Sequence, residues 1–311
     1  RQWSPADRSG PRFARWLPMS MSDSPSPRRY ALTLACRSAA GQVAAVAAFL
    51  GRHQAYVEQF TVYDDPPTAR FFVRAVFRRA EARADDLVRL REEFAVLTPQ
   101  CDALQWQVHD LAQPLRVLLM VSKLDHCLVE LLAGWKHGEL PMQPVAVVSN
   151  HETLRGLAEA HGLPFHCLPV TPETKAAQEE RLLELVHDTG ADLVVLARYM
   201  QVLSDALCTR LAGRVINIHH GFLPAFKGAR PYHQAFERGV KLIGATAHFA
   251  TPDLDEGPII EQATERVDHA HSPEDLLAVG RQVESTVLSR ALRQVLEHRV
   301  FINGQRTVVL R

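Results

Sequence analysis

An amide and an imidazole side chain stand two residues apart in the segment Val215–His220. The β-branched residues of this segment predict a short strand over residues 215–219. Because side chains alternate along a strand, Asn217 and His219 point to one face, and Ile216 and Ile218 to the other. A glycine and a proline follow shortly and cannot continue the strand. The polar pair is therefore predicted where a strand enters a loop, a common ligand-binding position in open α/β sheets.

A carboxylate, Asp255, follows in a loop predicted between two further strands. An amide N–H can stabilise an oxygen on which negative charge develops, and an imidazole exchanges protons near neutral pH. A carboxylate can fix the tautomer of that imidazole or position a water molecule. These residue types would suit attack on a carbonyl carbon, but their spacing alone does not bring the three groups together. Each also has a structural interpretation: Asn217 as a turn or helix-capping residue, His219 as a buried histidine with satisfied hydrogen bonds, and Asp255 as a turn carboxylate.

Strands and helices alternate around these residues from position 115 onwards. The almost wholly apolar segment 115–121 is typical of a parallel strand buried on both faces. The alternation predicts a doubly wound, Rossmann-like α/β sheet, followed by a long helix that opens at Ser272 and a hairpin with its turn at Asn303-Gly304. The other predicted strands cover residues 145–149, 165–168, 192–198, 241–249 and 259–267, and the other predicted helices cover 125–135, 153–161, 173–187 and 204–211.

The N-terminal third has a different pattern. Strands are predicted over 30–35, 56–63, 70–77 and 104–108, and helices over 41–50 and 85–97. This βαββαβ order predicts a ferredoxin-like α+β domain. The residues before it are rich in Arg, Pro and Ser and show no periodicity, which predicts disorder. We therefore divide the chain into a disordered leader (1–29), a ferredoxin-like domain (30–112) and a Rossmann-like domain (113–311).

Composition excludes several classes of protein. Acidic and basic residues balance at 35 each, so nothing indicates a nucleic-acid partner held by bulk charge. The five cysteines are scattered without a CxxC pair, which predicts a reducing compartment, the cytoplasm, and no disulfide framework. No apolar run is long enough to span a membrane. The histidines lack HExxH-type spacing, so no metal site is predicted.

Several spaced motifs resemble the folate-dependent formyltransferases. They are Asn217-Ile218-His219, the run Leu223–Gly228, His248, and the run Leu254–Ile260. The match spans most of residues 115–311, and its motifs agree in order and spacing. The resemblance implies a formyltransferase-type fold for the Rossmann-like domain and a folate as the small-molecule substrate.

Within that superfamily, the runs Gly228–Ala235 and Gly244–His248 are most similar to the formyltetrahydrofolate deformylases. That family hydrolyses 10-formyltetrahydrofolate to formate and tetrahydrofolate, with the folate as substrate and no tightly bound cofactor. The resemblance implies catalytic roles for Asn217, His219 and Asp255. It also implies a substrate pocket formed by Arg198, Tyr199, Met200, Gln201, Val202, Leu203, His248, Thr251, Asp253 and Leu254.

The ferredoxin-like domain resembles the ACT domains, small modules that often bind an amino acid as an effector. The family usually carries an acidic residue in the turn after its first strand. Here that turn is the run Cys36–Gly41, which keeps the glycine and lacks the acid. The resemblance therefore favours a scaffold that pairs subunits into a homo-oligomer, a dimer or tetramer, over an effector site.

The loop after the first Rossmann strand bears on the choice between hydrolysis and transfer. Transferase relatives have a glycine-rich loop there, whose N–H groups bind the phosphate of the acceptor. The equivalent run Val121–Cys127 has no glycine, and Asp125 would repel a phosphate, although Lys123 would attract one. Water is then expected to be the acceptor of the formyl group. Two alternatives stay open: a formyltransferase to a small amine, and, because Gly221 replaces the usual serine, a non-catalytic folate or amino-acid sensor.

Overall fold

The structure, a computed structural model, describes residues 28–79, 85–224 and 231–311. Residues 1–27 of the predicted leader lie outside that range. The first strand begins at Arg28, two residues before the predicted boundary. Two ion pairs anchor this start, because Arg28 lies 2.7 Å from Asp110 and Arg29 lies 2.7 Å from Glu58.

The N-terminal part forms a four-stranded antiparallel sheet with the strand order β2-β3-β1-β4. Alternate residues of β1, including Tyr30, Leu32 and Leu34, pack with Phe49 and Phe94 of the two helices. The predicted βαββαβ order is confirmed. Its elements are β1 (Arg28–Arg37), α1 (Gln42–Arg52), β2 (Tyr56–Asp65), β3 (Arg70–Arg79), α2 (Asp86–Leu97) and β4 (Ala103–Asp110).

The rest of the chain is built on a seven-stranded sheet with the order β11-β10-β9-β8-β5-β6-β7. The strands from β5 to β9 pair in parallel, and β10 and β11 add to the β9 edge in antiparallel fashion. The predicted α/β class is confirmed. The strands are β5 (Leu115–Val121), β6 (Met142–Ser149), β7 (Phe165–Cys167), β8 (Leu193–Leu196), β9 (Val215–His219), β10 (Leu242–Phe249) and β11 (Ile259–Arg266).

Helices cover both faces of this sheet. Helix α7 was not predicted. Strand β8 is shorter than its predicted span 192–198, because Arg198 adopts a positive φ of 67°. Among the described residues, no helix is long and apolar enough to cross a membrane. The helices are α3 (His126–Lys136), α4 (Arg155–Ala160), α5 (Lys175–Asp188), α6 (Asp205–Arg210), α7 (Pro231–Glu237) and α8 (Pro273–Leu296).

Helix α8 begins as its sequence predicts. The Ser272 hydroxyl accepts the Asp275 N–H at 3.2 Å, and the Asp275 carboxylate accepts the Ser272 N–H at 2.9 Å. This reciprocal capping box satisfies donors that the first helical turn leaves free. The buried side of α8, with Val287, Leu288 and Ala291, packs in the core formed with β5 and β9. The long helix thereby supports the face of the sheet that β5 and β9 turn toward it.

The C-terminal hairpin, β12 (Val300–Asn303) and β13 (Arg306–Val309), packs against the N-terminal sheet. Phe301 lies edge-on to Phe72, with ring centroids 5.4 Å apart. Asn303 donates from Nδ2 to the Asp65 carboxylate at 2.7 Å and accepts from Arg70 at 3.1 Å. The hairpin is therefore joined to the N-terminal sheet by a contact that includes both apolar packing and a buried amide.

Two imidazole rings extend this junction. His109 of β4 stacks on His298, which follows α8, with ring centroids 3.5 Å apart and planes 11° apart. Burial lowers the pKa of His109 to about 4 and that of His298 to about 3, and the charge of Arg74 acts in the same direction on both. Both rings are therefore neutral at neutral pH.

Acidification is expected to weaken the fold through this pair. The unfolded rings protonate near their ordinary pKa of 6.5, whereas the folded rings have lower values. The contribution to the free energy of unfolding is therefore complete above pH 6.5 and is lost as the pH falls toward 4. His109→Phe keeps a stacked ring without a titrating group. Its thermal unfolding midpoint should fall less than that of the wild type between about pH 7 and 5; equal falls in calorimetry would contradict this assignment.

Candidate active site

The polar residues singled out in the sequence converge on a cavity of about 570 Å³ at the end of β9. Asn217 and His219 line it from β9, and Ile216 and Ile218 pack in the core, with Ile218 also bordering the cavity. Asp255 reaches the same cavity from the loop between β10 and β11. The predicted strand alternation therefore places the amide and the imidazole on the cavity side.

His219 and Asp255 form a buried pair. His219 Nδ1 lies 3.2 Å from Asp255 Oδ2, and the two side chains are 5% and 11% exposed. The hydrogen bond from His219 holds the pKa of Asp255 below its ordinary value. Because the carboxylate can only accept, Nδ1 carries the proton of this bond. His219 Nε2 is buried and has no partner among the described residues, so it is the ring atom left for chemistry.

His248 orients the amide of Asn217. The two residues face each other across β9 and β10, and Asn217 Nδ2 lies 3.2 Å from His248 Nε2. His248 Nδ1 donates to the Phe249 carbonyl at 2.9 Å, and burial lowers the pKa of the ring. The neutral ring therefore presents a lone pair at Nε2, which accepts one Asn217 N–H and leaves the second N–H for the cavity. The 3.8 Å approach of His248 to Asp255 is then not an ion pair.

Removing the hydrogen-bond acceptor that His248 offers to the Asn217 amide is expected to slow catalysis. His248→Leu leaves the Asn217 amide free to turn, and we expect kcat to fall by about 3- to 10-fold, the value of one hydrogen bond. His248→Gln offers a carbonyl oxygen in a similar place and should recover most of that loss. Steady-state kinetics of both variants provide the check. Equal rates for the two variants would show that the ring acts in another way.

Two loops form an apolar wall of the cavity. The residues from Arg198 to Leu203 line it, together with Thr251 and Leu254. Met200, Val202 and Leu254 are each more than half exposed, so they offer apolar surface to a ligand at the mouth. Asp253 differs from its prediction. Its side chain is exposed and lines a neighbouring cavity, because the chain turns back between Asp253 O and Glu256 N.

The loop after β5 fastens one of these segments. The Ser122 hydroxyl donates to Asn150 Oδ1 at 2.7 Å and accepts the Met200 N–H at 3.0 Å. The hydrogen bonds of this glycine-free loop are therefore made to other parts of the protein. Its serine holds the wall of the cavity, and Asp125 stands at the N-terminus of α3.

The run after His220 is held in a comparable way. Thr246 Oγ1 donates to the Gly221 carbonyl at 2.9 Å and accepts the Leu223 N–H at 3.0 Å. Thr246 is fully buried, so this turn is fixed against β10 through its backbone. The remainder of the motif, residues 225–230, lies outside the described residues.

A second group of polar residues joins Arg198, a predicted pocket residue, to Glu284, which the sequence did not place in the site. The fully buried Glu284 of α8 accepts from Tyr232 Oη at 2.6 Å and from His126 Nε2 at 2.7 Å, and Arg198 Nε lies 3.3 Å away. We call these four residues the Glu284 cluster. Burial acts to raise the pKa of Glu284, but the bond from His126 and the charge of Arg198 outweigh it and hold that pKa below its ordinary value. The sequence did contain a signal for a buried charge, because Glu284 lies on the apolar stripe of α8.

His220 lies between the cluster and the catalytic candidates. Its ring centroid is 5.3 Å from that of His219 and 6.3 Å from that of Tyr232. Burial, followed by the charge of Arg198, lowers the pKa of His220 to about 4. His220 therefore stays neutral near neutral pH and separates the Arg198–Glu284 ion pair from the His219–Asp255 pair.

Two members of the cluster, together with Cys127, place atoms close enough to hold a metal ion. The ligand atoms of His126, Cys127 and Glu284 lie within 4.8 Å of one another. The Glu284 carboxylate is already engaged, and the Arg198 guanidinium beside it would repel a cation. Burial raises the pKa of the Cys127 thiol, so the thiolate that a metal prefers is disfavoured. The chemistry of this group fits a hydrogen-bonded cluster better than a metal centre.

Comparison with known proteins identifies the relatives of this chain. The family model described as formyl transferase matches residues 115–292. The formyltetrahydrofolate deformylase of Corynebacterium sp. (strain P-1) is 50% identical over 283 residues, which cover 91% of this chain and 98% of that protein.

Solved structures give the same pattern. The crystal structure of formyltetrahydrofolate deformylase from Burkholderia mallei is 58% identical with a TM-score of 0.87, and the match covers 92% of this chain and 100% of that chain. Glycinamide ribonucleotide transformylase 1 from Symbiobacterium toebii is 32% identical with a TM-score of 0.60, and the match covers 64% of this chain and 95% of that chain. The likeness to the deformylase therefore extends over a larger share of the chain.

Proposed function

Because this chain belongs to the formyltetrahydrofolate deformylase family, we propose that its cavity hydrolyses 10-formyltetrahydrofolate to formate and tetrahydrofolate. The observation that carries the assignment to this site is the convergence of Asn217, His219 and Asp255 on one cavity. The apolar loops beside them suit a flat pteridine ring. The folate enters as the substrate, and the reaction needs no tightly bound cofactor.

The geometry gives each of the three residues a role. His219 Nδ1 is engaged by Asp255, so the neutral ring has a lone pair at Nε2 and can take a proton from a water molecule. The water oxygen then bonds to the formyl carbon, and the negative charge that develops on the formyl oxygen is stabilised by the free N–H of Asn217. The bond from carbon to N10 breaks, and His219 returns the proton to that nitrogen. Asp255 stabilises the imidazolium that exists between these proton transfers.

Formate release tests this function directly. Incubation of the protein with 10-formyltetrahydrofolate and no amine should yield formate and tetrahydrofolate in equal amounts, whereas His219→Ala should release little. Release that depends on an added amine would favour the alternative formyltransferase. Tight folate binding without turnover, unchanged in His219→Ala, would favour the alternative sensor.

We assign the N-terminal domain a scaffold role and expect a homo-oligomer. The edge strand β2 exposes apolar side chains, with Tyr56 62% and Tyr63 45% exposed, and such an edge can pair with a second copy. At the start of α1, Gln42 Nε2 donates to the Arg37 and Cys101 carbonyls at 3.0 and 3.1 Å, so the turn after β1 is tied to the rest of the domain, which suits a scaffold. Sedimentation that gives a monomer at micromolar concentration would contradict the oligomer.

The compartment is inferred from the cysteines. All five are free, and all but Cys167 are buried. Unpaired buried thiols suit a reducing compartment, which supports the cytoplasm as the location of the enzyme.

A further inference from the structure

We propose that the Glu284 cluster closes the side of the cavity from which an amine would reach the formyl carbon, so that water is the nucleophile that fits. This inference rests on the hydrolysis proposed above. It assigns specificity to the ring of Tyr232, which lines the cavity, with Glu284, His126 and Arg198 supporting it, and none of the four is needed for proton transfer.

The cavity has two walls of different character. The loops that contain Met200, Val202 and Leu254 form an apolar wall, which suits the folate ring. His220, Tyr232 and Leu277 also line the cavity, and Glu284 and His126 of the Glu284 cluster lie behind Tyr232. With the folate against the apolar wall, the nucleophile must approach from the wall that the cluster supports.

Tyr232 is the residue that fills this space. It is 5% exposed, and its hydroxyl is fixed by Glu284 at 2.6 Å. Its ring lies against Gly280 of α8 so closely that a Cβ at that position would fall 2.2 Å from the ring. Packing against Gly280 and the hydrogen bond to Glu284 therefore hold the ring in one place.

The loop after β5 takes part in the same closure. In the transferase relatives, this is the loop whose N–H groups bind the acceptor phosphate. Here its last residues begin α3, and His126 donates to Glu284 at 2.7 Å. This segment therefore supports Glu284 from behind the wall.

The charges of the cluster act against an amine as well. A carboxylate at the wall would attract an ammonium group, but Glu284 already has three partners in Tyr232, His126 and Arg198. The Arg198 guanidinium would repel an amine that arrives protonated, and such an amine would still have to lose that proton before it could attack. Water carries no charge and needs less space, so neither feature opposes its entry.

Opening the wall should allow formyl transfer. In that reaction the amine nitrogen bonds to the formyl carbon, the bond from carbon to N10 breaks, and the proton lost by the amine passes through His219 to N10. We choose Tyr232→Ala as the opening variant and Tyr232→Phe as its matched control, because phenylalanine keeps the ring and loses only the hydroxyl. Each is incubated with 10-formyltetrahydrofolate and glycinamide, and mass spectrometry measures N-formylglycinamide against formate.

The ratio of N-formylglycinamide to formate should rise at least about tenfold in Tyr232→Ala, the size of effect that one altered pocket contact produces. The ratio in Tyr232→Phe should stay at the wild-type value. An unchanged ratio in a folded Tyr232→Ala, or an equal rise in Tyr232→Phe, would overturn the proposal. If Tyr232→Ala does not fold, Tyr232→Val removes the ring with a smaller loss of packing, and its ratio decides in the same way.

The wild-type arm of the experiment separates the two proposals. Formate as the product of the wild-type protein, with an unchanged ratio in the variants, would leave hydrolysis in place and remove the cluster as its specificity device. N-formylglycinamide as the main wild-type product would instead contradict hydrolysis, and with it the inference that depends on it.

Discussion

Replacement of Asn217 by Ala is expected to lower kcat by about 10²–10³-fold, the usual effect of removing a donor to a developing oxyanion. One N–H of this amide is engaged by His248 Nε2 at 3.2 Å, and the other faces the cavity. The charge that it stabilises exists in the transition state and is absent from the bound substrate. The KM for the folate should therefore change little, and steady-state kinetics separate the two constants.

Asn303→Ala is a matched control, since it also removes a side-chain amide that is hydrogen-bonded within the fold. Asn303 is 4% exposed and binds Asp65 at the contact between the hairpin and the N-terminal sheet. Its loss should lower the thermal unfolding midpoint and leave kcat near the wild-type value. If Asn217→Ala retained kcat, the amide would have no part in the transition state.

Asp255→Asn is expected to cost about 10²–10⁴-fold in kcat, the range of a lost proton-transfer arrangement. The carboxylate accepts from His219 Nδ1 at 3.2 Å and so leaves Nε2 free to take the proton of water. An amide NH₂ at the same place would donate instead, and would favour the tautomer that carries its proton on Nε2. It would also stabilise the imidazolium less than a carboxylate does. Stopped-flow or steady-state assays of formate release measure the loss, and full activity would remove Asp255 from the mechanism.

The dependence of stability on pH provides a control for this variant. The pKa of Asp255 is lowered in the folded protein from its ordinary value of 3.8, chiefly by the hydrogen bond from His219. A lowered carboxylate pKa contributes stability that is present above pH 3.8 and is lost as the pH falls through the folded value. Wild type and Asp255→Asn should therefore differ in unfolding midpoint near neutral pH, and the difference should shrink in strong acid.

Much of the fold could be predicted from hydrophobic patterns. The strands β5 and β9 have the predicted bounds, 115–121 and 215–219, since each is a short β-branched or apolar run. Helix α7, which covers seven residues, is too short to show a full apolar stripe. The early end of β8 follows from the positive φ of Arg198, which no residue pattern indicates, because glycine is the residue expected there.

The candidate site was predictable in its residues and not in its contacts. Spacing placed Asn217 and His219 on one face of a strand, and the family resemblance added Asp255. The bond from Asn217 to His248 depends on which strands are neighbours in the sheet, and that order is a tertiary property. Glu284 reads as an ordinary charged helix residue unless its place on the apolar stripe is noticed, and its partners come from three distant segments.

Asn217 faces His248 in one pairing of β9 with β10, in which Thr246 also lies opposite His219. A slip of one residue would turn the side chains of the displaced strand to the other surface of the sheet. The amide would then lose its imidazole neighbour, although the apolar content of the strand would hardly change. Recovery of catalytic turnover after denaturation therefore reports the correct alignment of β9 with β10. A chain in which these strands are misaligned would be inactive even when it is compact.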